Sequence, residues 1–320
     1  MENAWLYRYS ILVLGFTLLL VVAGALVTSN DAALSIPDWP LAWGRLIPPL
    51  EGGIRFEFAH RLLAATVSVL ILILALWLRT KLGWTVLVTV VAQALLGGAA
   101  VRFFDPKALS VAHACLAQLC FGLVVAVVVG GADSRVRSVD THVDTFRPAT
   151  ETNGRGQSVW GSEIADAPKS VETSLDSADR SVRATSIIAV LSLFVQTALG
   201  AAVRHGATSV VPHIVGAIVS TVAVMWAGLQ ILMKYMENAL YRRSASILLG
   251  LTFLQVALGL FAYMSRIATA DDPQPMPMMI TFTVAHVAVG ALAFGAAVAL
   301  ALIVYRDTPE KENHGGMAVA

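Results

Sequence analysis

The chain has 320 residues, 57% of them hydrophobic and 13% charged, with a mean hydropathy of +0.73. Soluble domains carry about 25% charged residues, so this balance excludes an ordinary water-soluble fold and points to a chain that crosses a bilayer repeatedly. A formal net charge of +1 offers no basic surface for nucleic acid, and Cys115 and Cys120, on different sides of one apolar run, offer no disulfide framework.

The first apolar run, 9–28, follows Arg8 and contains "AGA" at 23–25, which resembles a signal-peptide cleavage site. Its place in the repeat described below makes it a membrane span instead. The loop "SIPDWPLAWGRLIPPLEGG" (35–53) has Trp39 and Trp43, suited to a membrane interface, and prolines that argue against a long helix. It is expected to cover the site that follows as a lid. The second span, 57–79, opens on Glu57, His60 and Arg61 and then has no charge up to Trp77. Ionisable groups at membrane depth are costly and mark sites or pathways. Spans at 83–103 and 109–130 complete a first set of four.

Residues 131–184 are rich in Ser, Thr, Asp and Arg and poor in large apolar side chains. Such a segment buries too little to offset its ordering entropy, and it is expected to be a disordered cytoplasmic linker, with His142 solvated. Four more spans follow at 185–204, 210–233, 245–265 and 280–304. The expected fold is an all-α membrane protein. Eight transmembrane helices form two similar four-helix bundles in parallel tandem repeat. The expected domains are 1–130, the linker 131–184, 185–306, and a cytoplasmic tail 307–320 that includes His314. Arg8, Arg79, Lys81, Lys234, Arg242, Arg243, Arg306 and Lys311 fall on the side of the termini in short connections, which predicts cytoplasmic termini.

The two sets repeat each other. "QALLG" (93–97), "QTALG" (196–200) and "QVALG" (255–259) share Q-x-x-L-G late in odd-numbered spans, and "VAGALV" in the first span is a looser copy. Arg102, Arg204 and Arg266 follow near the outer ends. Each even-numbered span places a histidine in its opening turn, in "EFAHRLLA", "SVAHACLA", "VVPHIVGA" and "TVAHVAVG". A small residue follows four positions later: Ala64, Ala117, Ala217 and Gly290.

Helices two and four of an up-down bundle are diagonal and run the same way, so His60 is expected to face His113, and His213 to face His286. A small residue one turn on leaves room for a flat ligand. A bare zinc or copper ion needs more ligands close together. Two bis-histidine haem sites near the outer face follow as the economical reading, with Arg102, Arg204 and Arg266 as candidate propionate partners. A bland alternative is that the histidines are helix-start residues at the interface and the arginines snorkel to lipid phosphate. Only the first half has an acid three residues before its histidine, where Ser110, Val210 and Thr283 stand in the others. A carboxylate in such a pocket can handle protons, so Glu57 is the candidate catalytic residue. Capping of its helix, or pairing with Arg55 or Arg61, is the alternative.

These motifs together resemble the haem A synthase family: "VTSNDAALSIPDWPLAWG" (27–44), "EFAHR" (57–61), "LLGGAAVRF" (95–103), "SVAHACLAQL" (110–119), "VPHIVGA" (211–217) and "FTVAHVAVGAL" (282–292). The resemblance implies eight helices in two bundles. It also implies oxidation of the C8 methyl of haem O to a formyl group, giving haem A for terminal oxidases. By it, His213 and His286 ligate a resident haem b, His60 and His113 bind the substrate haem, and Glu57 is the acid near the reaction. Haem O synthase and an electron-transfer protein are the implied partners, and the cell membrane is the implied location. Some members carry a cysteine pair in the first outer loop, whereas residues 29–55 here contain none. Two other classes stay open: a non-enzymatic dihaem cytochrome and a haem transporter.

Overall fold

The computed structural model describes the backbone of residues 2–144 and 169–307, and the side chains of residues 4–131 and 179–306. The described residues form helices α1 (Glu2–Ser29), α2 (Ile54–Leu78), α3 (Lys81–Arg102), α4 (Lys107–Asp144), α5 (Lys169–Arg204), α6 (Val210–Lys234), α7 (Ala239–Ala268) and α8 (Pro277–Asp307). All eight are long and apolar enough to cross a membrane, so the fold is that of an all-helical, multi-pass membrane protein. In lipid a helix satisfies its own backbone groups, which is why apolar runs of this length take no other form.

Helices enter the expected linker from both sides, α4 running to Asp144 and α5 starting at Lys169. Residues 179–184 pack with the second half: Val182 is in its core, and Asp179 pairs with Lys234 and accepts from the Tyr235 hydroxyl at 2.7 Å. Periodic apolar residues in a polar stretch, Val182 above all, were hidden by its average composition. Residues 145–168, the middle of the expected linker 131–184, and the tail beyond 307 with His314 lie outside the described residues, as does the side chain of His142.

Connections on the side of the termini are tight. Arg79 takes a left-handed conformation (φ 51°) and lets α2 turn into α3, where Thr80 Oγ1 accepts from the Gly83 N–H at 3.2 Å. Asn238 caps α7 by accepting from the Leu240 N–H at 3.0 Å.

In the first half α1 packs on α2 and α4, and α3 packs on α2 and α4. In the second, α5 packs on α6 and α8, and α7 on α6 and α8. The halves meet through α1, α4, α5 and α8. Phe121 and Phe294 stand at matching positions after His113 and His286. A Cβ on Gly295 would lie 2.8 Å from the Phe121 ring, and one on Gly122 would lie 2.9 Å from the Phe294 ring. Each ring therefore fills the notch of the other helix, a reciprocal contact of the kind a two-fold relation produces.

The apolar cores sit at one end. Val13, Val67, Ile71, Leu74, Val86, Val90 and Val124 form that of the first half. Val224, Ile231, Leu248, Leu300 and Val304 belong to that of the second. These residues lie early on odd helices and late on even ones, at the end of the termini. The four histidines lie at the opposite end.

Candidate functional site

Each histidine leans on a glycine of the preceding helix. A Cβ on Gly24 would lie 3.2 Å from His60 Cε1. The corresponding distances are 3.1 Å for Gly97 and His113, 3.0 Å for Gly200 and His213, and 2.9 Å for Gly259 and His286. The last glycine of Q-x-x-L-G, and Gly24 in the looser copy, thus set how closely an imidazole can approach. Each ring also faces the backbone carbonyl of the residue four before its glycine: Leu20, Gln93, Gln196 and Gln255. The approach is a hydrogen-bond contact at His286, whose Nδ1 is 3.1 Å from Gln255 O. The Nδ1 atoms of His60 and His113 are buried without a hydrogen bond.

The structure brings His213 and His286 together, their ring centres 6.2 Å apart and their planes at 88°. His60 and His113 are close enough to act on each other electrostatically. No group of three or more His, Cys, Asp or Glu side chains able to hold a metal ion occurs among the described residues.

Three glutamines went unassigned by sequence reasoning, although a polar residue repeated in apolar helices was the available signal. Gln93 Nε2 donates to His113 O at 2.9 Å, and Gln196 Nε2 donates to His213 O at 2.9 Å. Gln196 Nε2 also lies 3.0 Å from His213 Nδ1, and Gln255 Nε2 lies 3.3 Å from His286 Nε2. This revises the reading of Gly290. A Cβ there would lie 2.8 Å from Gln255 Nε2, so the smallness of that position admits a glutamine rather than a flat ligand. Gly216 stands in the same relation to Gln196.

Glu57 is buried, and both of its oxygens are engaged. Oε1 pairs with Arg61 Nη2 at 2.6 Å, and Oε2 accepts from the Ile36 N–H at 2.9 Å. Arg61, the residue least explained by sequence, donates further to Ile36 O (3.1 Å), Asp38 O (2.7 Å) and Leu41 O (3.1 Å). The pair is a latch on the loop between α1 and α2. In that loop Trp43 (φ 55°) and Gly44 (φ 67°) make a tight reverse turn closed by Ala42 and Arg45. Trp39 lies flat against α3, where a Cβ on Gly98 would come within 2.8 Å of its ring. Pro37, Asp38 and Trp39 with Leu95, Ala99, Arg102 and other α3 residues line a cleft of about 540 Å³, within the roughly 300–1,000 Å³ range of small-molecule sites.

The turn carries a pH prediction. The N–H groups of Gly44 (2.8 Å) and Trp43 (2.6 Å) donate to the Asp38 carboxylate, and the Gly44 contact foremost holds it below the usual carboxylate range. A folded-state value below the unfolded one of about 3.9 means the turn is held fully above that pH and released as pH falls through the folded value. Protection of the Trp43 and Gly44 amides, that is, exchange slower than the intrinsic rate at the same pH, is expected to persist at neutral pH and to be lost only as pH falls below about 4 and through the lowered Asp38 value. Asp38→Asn should lack that protection already at pH 7.

The three arginines part company. Arg102 and Arg266 are exposed. Arg204 turns inward and crosses to the other half, donating from Nη2 to Ala25 O (2.5 Å) and Ser29 Oγ (2.8 Å) of α1. Its Nη1 is buried without a hydrogen-bond partner. Beside it Lys107 donates to Gly206 O at 2.6 Å. His205, in the same seam, is held below the usual histidine range by burial, against the pull of Asp105. Cys115 and Cys120 are both free thiols.

No protein-family model matches the chain. Curated proteins do. A haem A synthase of Bacillus licheniformis is 30% identical over 138 residues, covering 39% of this chain and 46% of that protein. One of Lysinibacillus sphaericus is 31% identical over 135 residues (39% and 44%), and one of Anaplasma marginale 36% over 126 residues (35% of each). The chain thus spans less than half the length of the curated relatives it matches. With glycine-cradled histidine pairs in both halves, and with this similarity, the chain is related by sequence to the haem A synthase family.

Proposed function

We propose that this protein is a haem A synthase, an oxidoreductase that converts the C8 methyl of haem O to a formyl group. The observation that carries the reading is the His213–His286 pair. Two imidazole nitrogens each about 2 Å from one metal put their ring centres roughly 6 Å apart, and the observed separation is 6.2 Å. His286 Nδ1 lies 3.1 Å from the Gln255 carbonyl, the outer-shell contact that metal-bound histidines usually make. A buried guanidinium nitrogen at Arg204 with no partner suits a carboxylate such as a haem propionate. The residues therefore fit haem.

His213 and His286 would hold a resident haem b, and His60 and His113 the haem O substrate. The bound haem supplies the redox chemistry. Glu57, three residues before His60, is the proton site of the first half, and Arg61 fixes its carboxylate while tying down the covering loop. The loop with Trp39 keeps water from this end. Arg204 is the favoured propionate partner, ahead of the exposed Arg102 and Arg266. The histidine ends face outward and both termini lie in the cytoplasm, in keeping with the basic residues at the other end.

A second reading, a dihaem cytochrome without enzymatic activity, is favoured by one observation: both Glu57 oxygens are already engaged. Purified protein co-expressed with a haem-farnesylating enzyme separates the two. Haem b together with haem O or haem A, identified by mass after extraction, is the expected result. Haem b alone, with no haem A formed in the cells, supports the cytochrome.

A further inference from the structure

Away from the histidines, α5 and α8 leave a trough between them. On α5, Arg183, Ile187, Val190 and Leu191 fall on one face at the spacing of a helical stripe. On α8, Val298, Ala301, Leu302 and Tyr305 do the same. The two stripes line a cavity of about 260 Å³ at the end of the termini. It is apolar along its length and basic at one end, where the Arg183 guanidinium stands 5.4 Å from the centre of the Tyr305 ring. Arg183 Nε is buried without a hydrogen-bond partner. The carboxylate of Asp179, one turn earlier on α5, is already engaged by Lys234 and by the Tyr235 hydroxyl.

We propose that this trough binds one anionic phospholipid from the leaflet on the side of the termini, with its phosphate on Arg183 and an acyl chain between α5 and α8. The site lies at the opposite end from the histidines and does not rest on the haem reading. A buried guanidinium donor without an acceptor is costly, and a phosphate oxygen supplies the acceptor and the opposite charge together. Basic pockets between transmembrane helices are where anionic headgroups bind. A zwitterionic headgroup also brings a phosphate, but its ammonium offsets the charge. The cavity is smaller than the roughly 300–1,000 Å³ of small-molecule sites, so it suits a single slender chain and not a ring system. Neither end residue recurs in the first half. With Gly24 set against Gly200, Tyr7 stands where α5 has Arg183, and with His113 set against His286, Ala132 stands where α8 has Tyr305. Val298 also packs against Phe121 and Val125, so a chain in the trough lies against the contact between the halves.

The test uses the full chain, purified and delipidated in mild detergent, then titrated with phosphatidylglycerol or with phosphatidylethanolamine of the same acyl chains. Native mass spectrometry counts the lipid that stays bound. The wild type should bind one phosphatidylglycerol at concentrations where phosphatidylethanolamine binds weakly. Arg183→Gln should weaken phosphatidylglycerol binding about fivefold, the scale of one basic residue's attraction for anionic lipid, and leave phosphatidylethanolamine unchanged. Arg183→Lys keeps the charge and should keep the preference. Ala301→Phe fills the trough and should weaken both lipids. Arg8, over the Trp5 ring, is a cation at the same end but outside the trough, and Arg8→Gln should change nothing. Equal binding of the two lipids by the wild type overturns the proposal, as does Arg183→Gln protein that binds as the wild type does. An equal loss in Arg8→Gln overturns it too, because the lipid is then held by general charge and not by a site. So does co-purification of a different occupant, such as an isoprenoid quinone, that phosphatidylglycerol does not displace.

Discussion

On the haem reading proposed above, His213→Ala protein is expected to lose one of two haems and retain the other. The ring has its own glycine seat at Gly200 and lies 6.2 Å from His286, so its removal leaves His286 without the partner imidazole. Losing an outer-shell partner alone weakens a metal site by roughly 10- to 100-fold, and losing the ligand itself should exceed that. Haem per protein, with the low-spin absorption of the remaining haem, reads the result. His286→Ala should give the same spectrum as His213→Ala, because both remove the same site. His113→Ala should remove the other haem and leave this one. Equal haem loss from all three variants would mean that the pairs are not separate sites.

The latch gives the second large effect. Removing one partner of a buried ion pair costs about 3–5 kcal/mol, and the Glu57–Arg61 pair falls toward the lower end because Arg61 keeps some contact with solvent. Arg61→Ala strands the Glu57 carboxylate with only the Ile36 N–H and removes three donations to loop carbonyls at once. The loop between α1 and α2 should then exchange its amides quickly and become open to proteases. Glu57→Gln is the informative contrast. It keeps an oxygen for the Ile36 N–H and leaves Arg61 with its three carbonyls, so the loop should stay protected. If Glu57 serves proton transfer, Glu57→Gln loses haem A formation with the loop still closed. If Glu57 is only a latch, activity should follow loop protection across both variants, and the proton role is then withdrawn.

The expected lid is partly an outcome of this chemistry. Prolines and tryptophans in 35–53 were visible in sequence, and so was their position before Glu57. That Trp39 settles on α3 over Gly98 was not visible. Gly98 sits beside Gly97 in "LLGGAAV", and sequence gave no way to tell that one glycine seats a histidine and the other a tryptophan. The distinction depends on how far α3 is rotated about its axis, which neighbouring helices decide. The same applies to Arg61. Three of its acceptors, the carbonyls of Ile36, Asp38 and Leu41, lie on a loop that meets α2 only after folding, while its own helix offers just Glu57.

What the sequence by itself determined was the set of helices and the set of histidines. Apolar runs of this length have one hydrogen-bonded solution in lipid, and a histidine near the start of every even helix, within its first ten residues, is a local pattern that packing cannot relocate. Tertiary structure alone decided what those histidines touch. Gly24, Gly97, Gly200 and Gly259 became seats because odd helices pass beside even ones at that depth. Gln196 and Gln255 became ring contacts, while Gln93 stopped at a carbonyl. Arg204, one of three similar arginines in sequence, alone turned inward because Ala25 O and Ser29 Oγ of α1 lie across the seam. Periodicity fixes which face a residue occupies along its own helix. Which neighbour that face meets depends on the rotation and depth of two helices together, and that is settled only when the whole bundle packs.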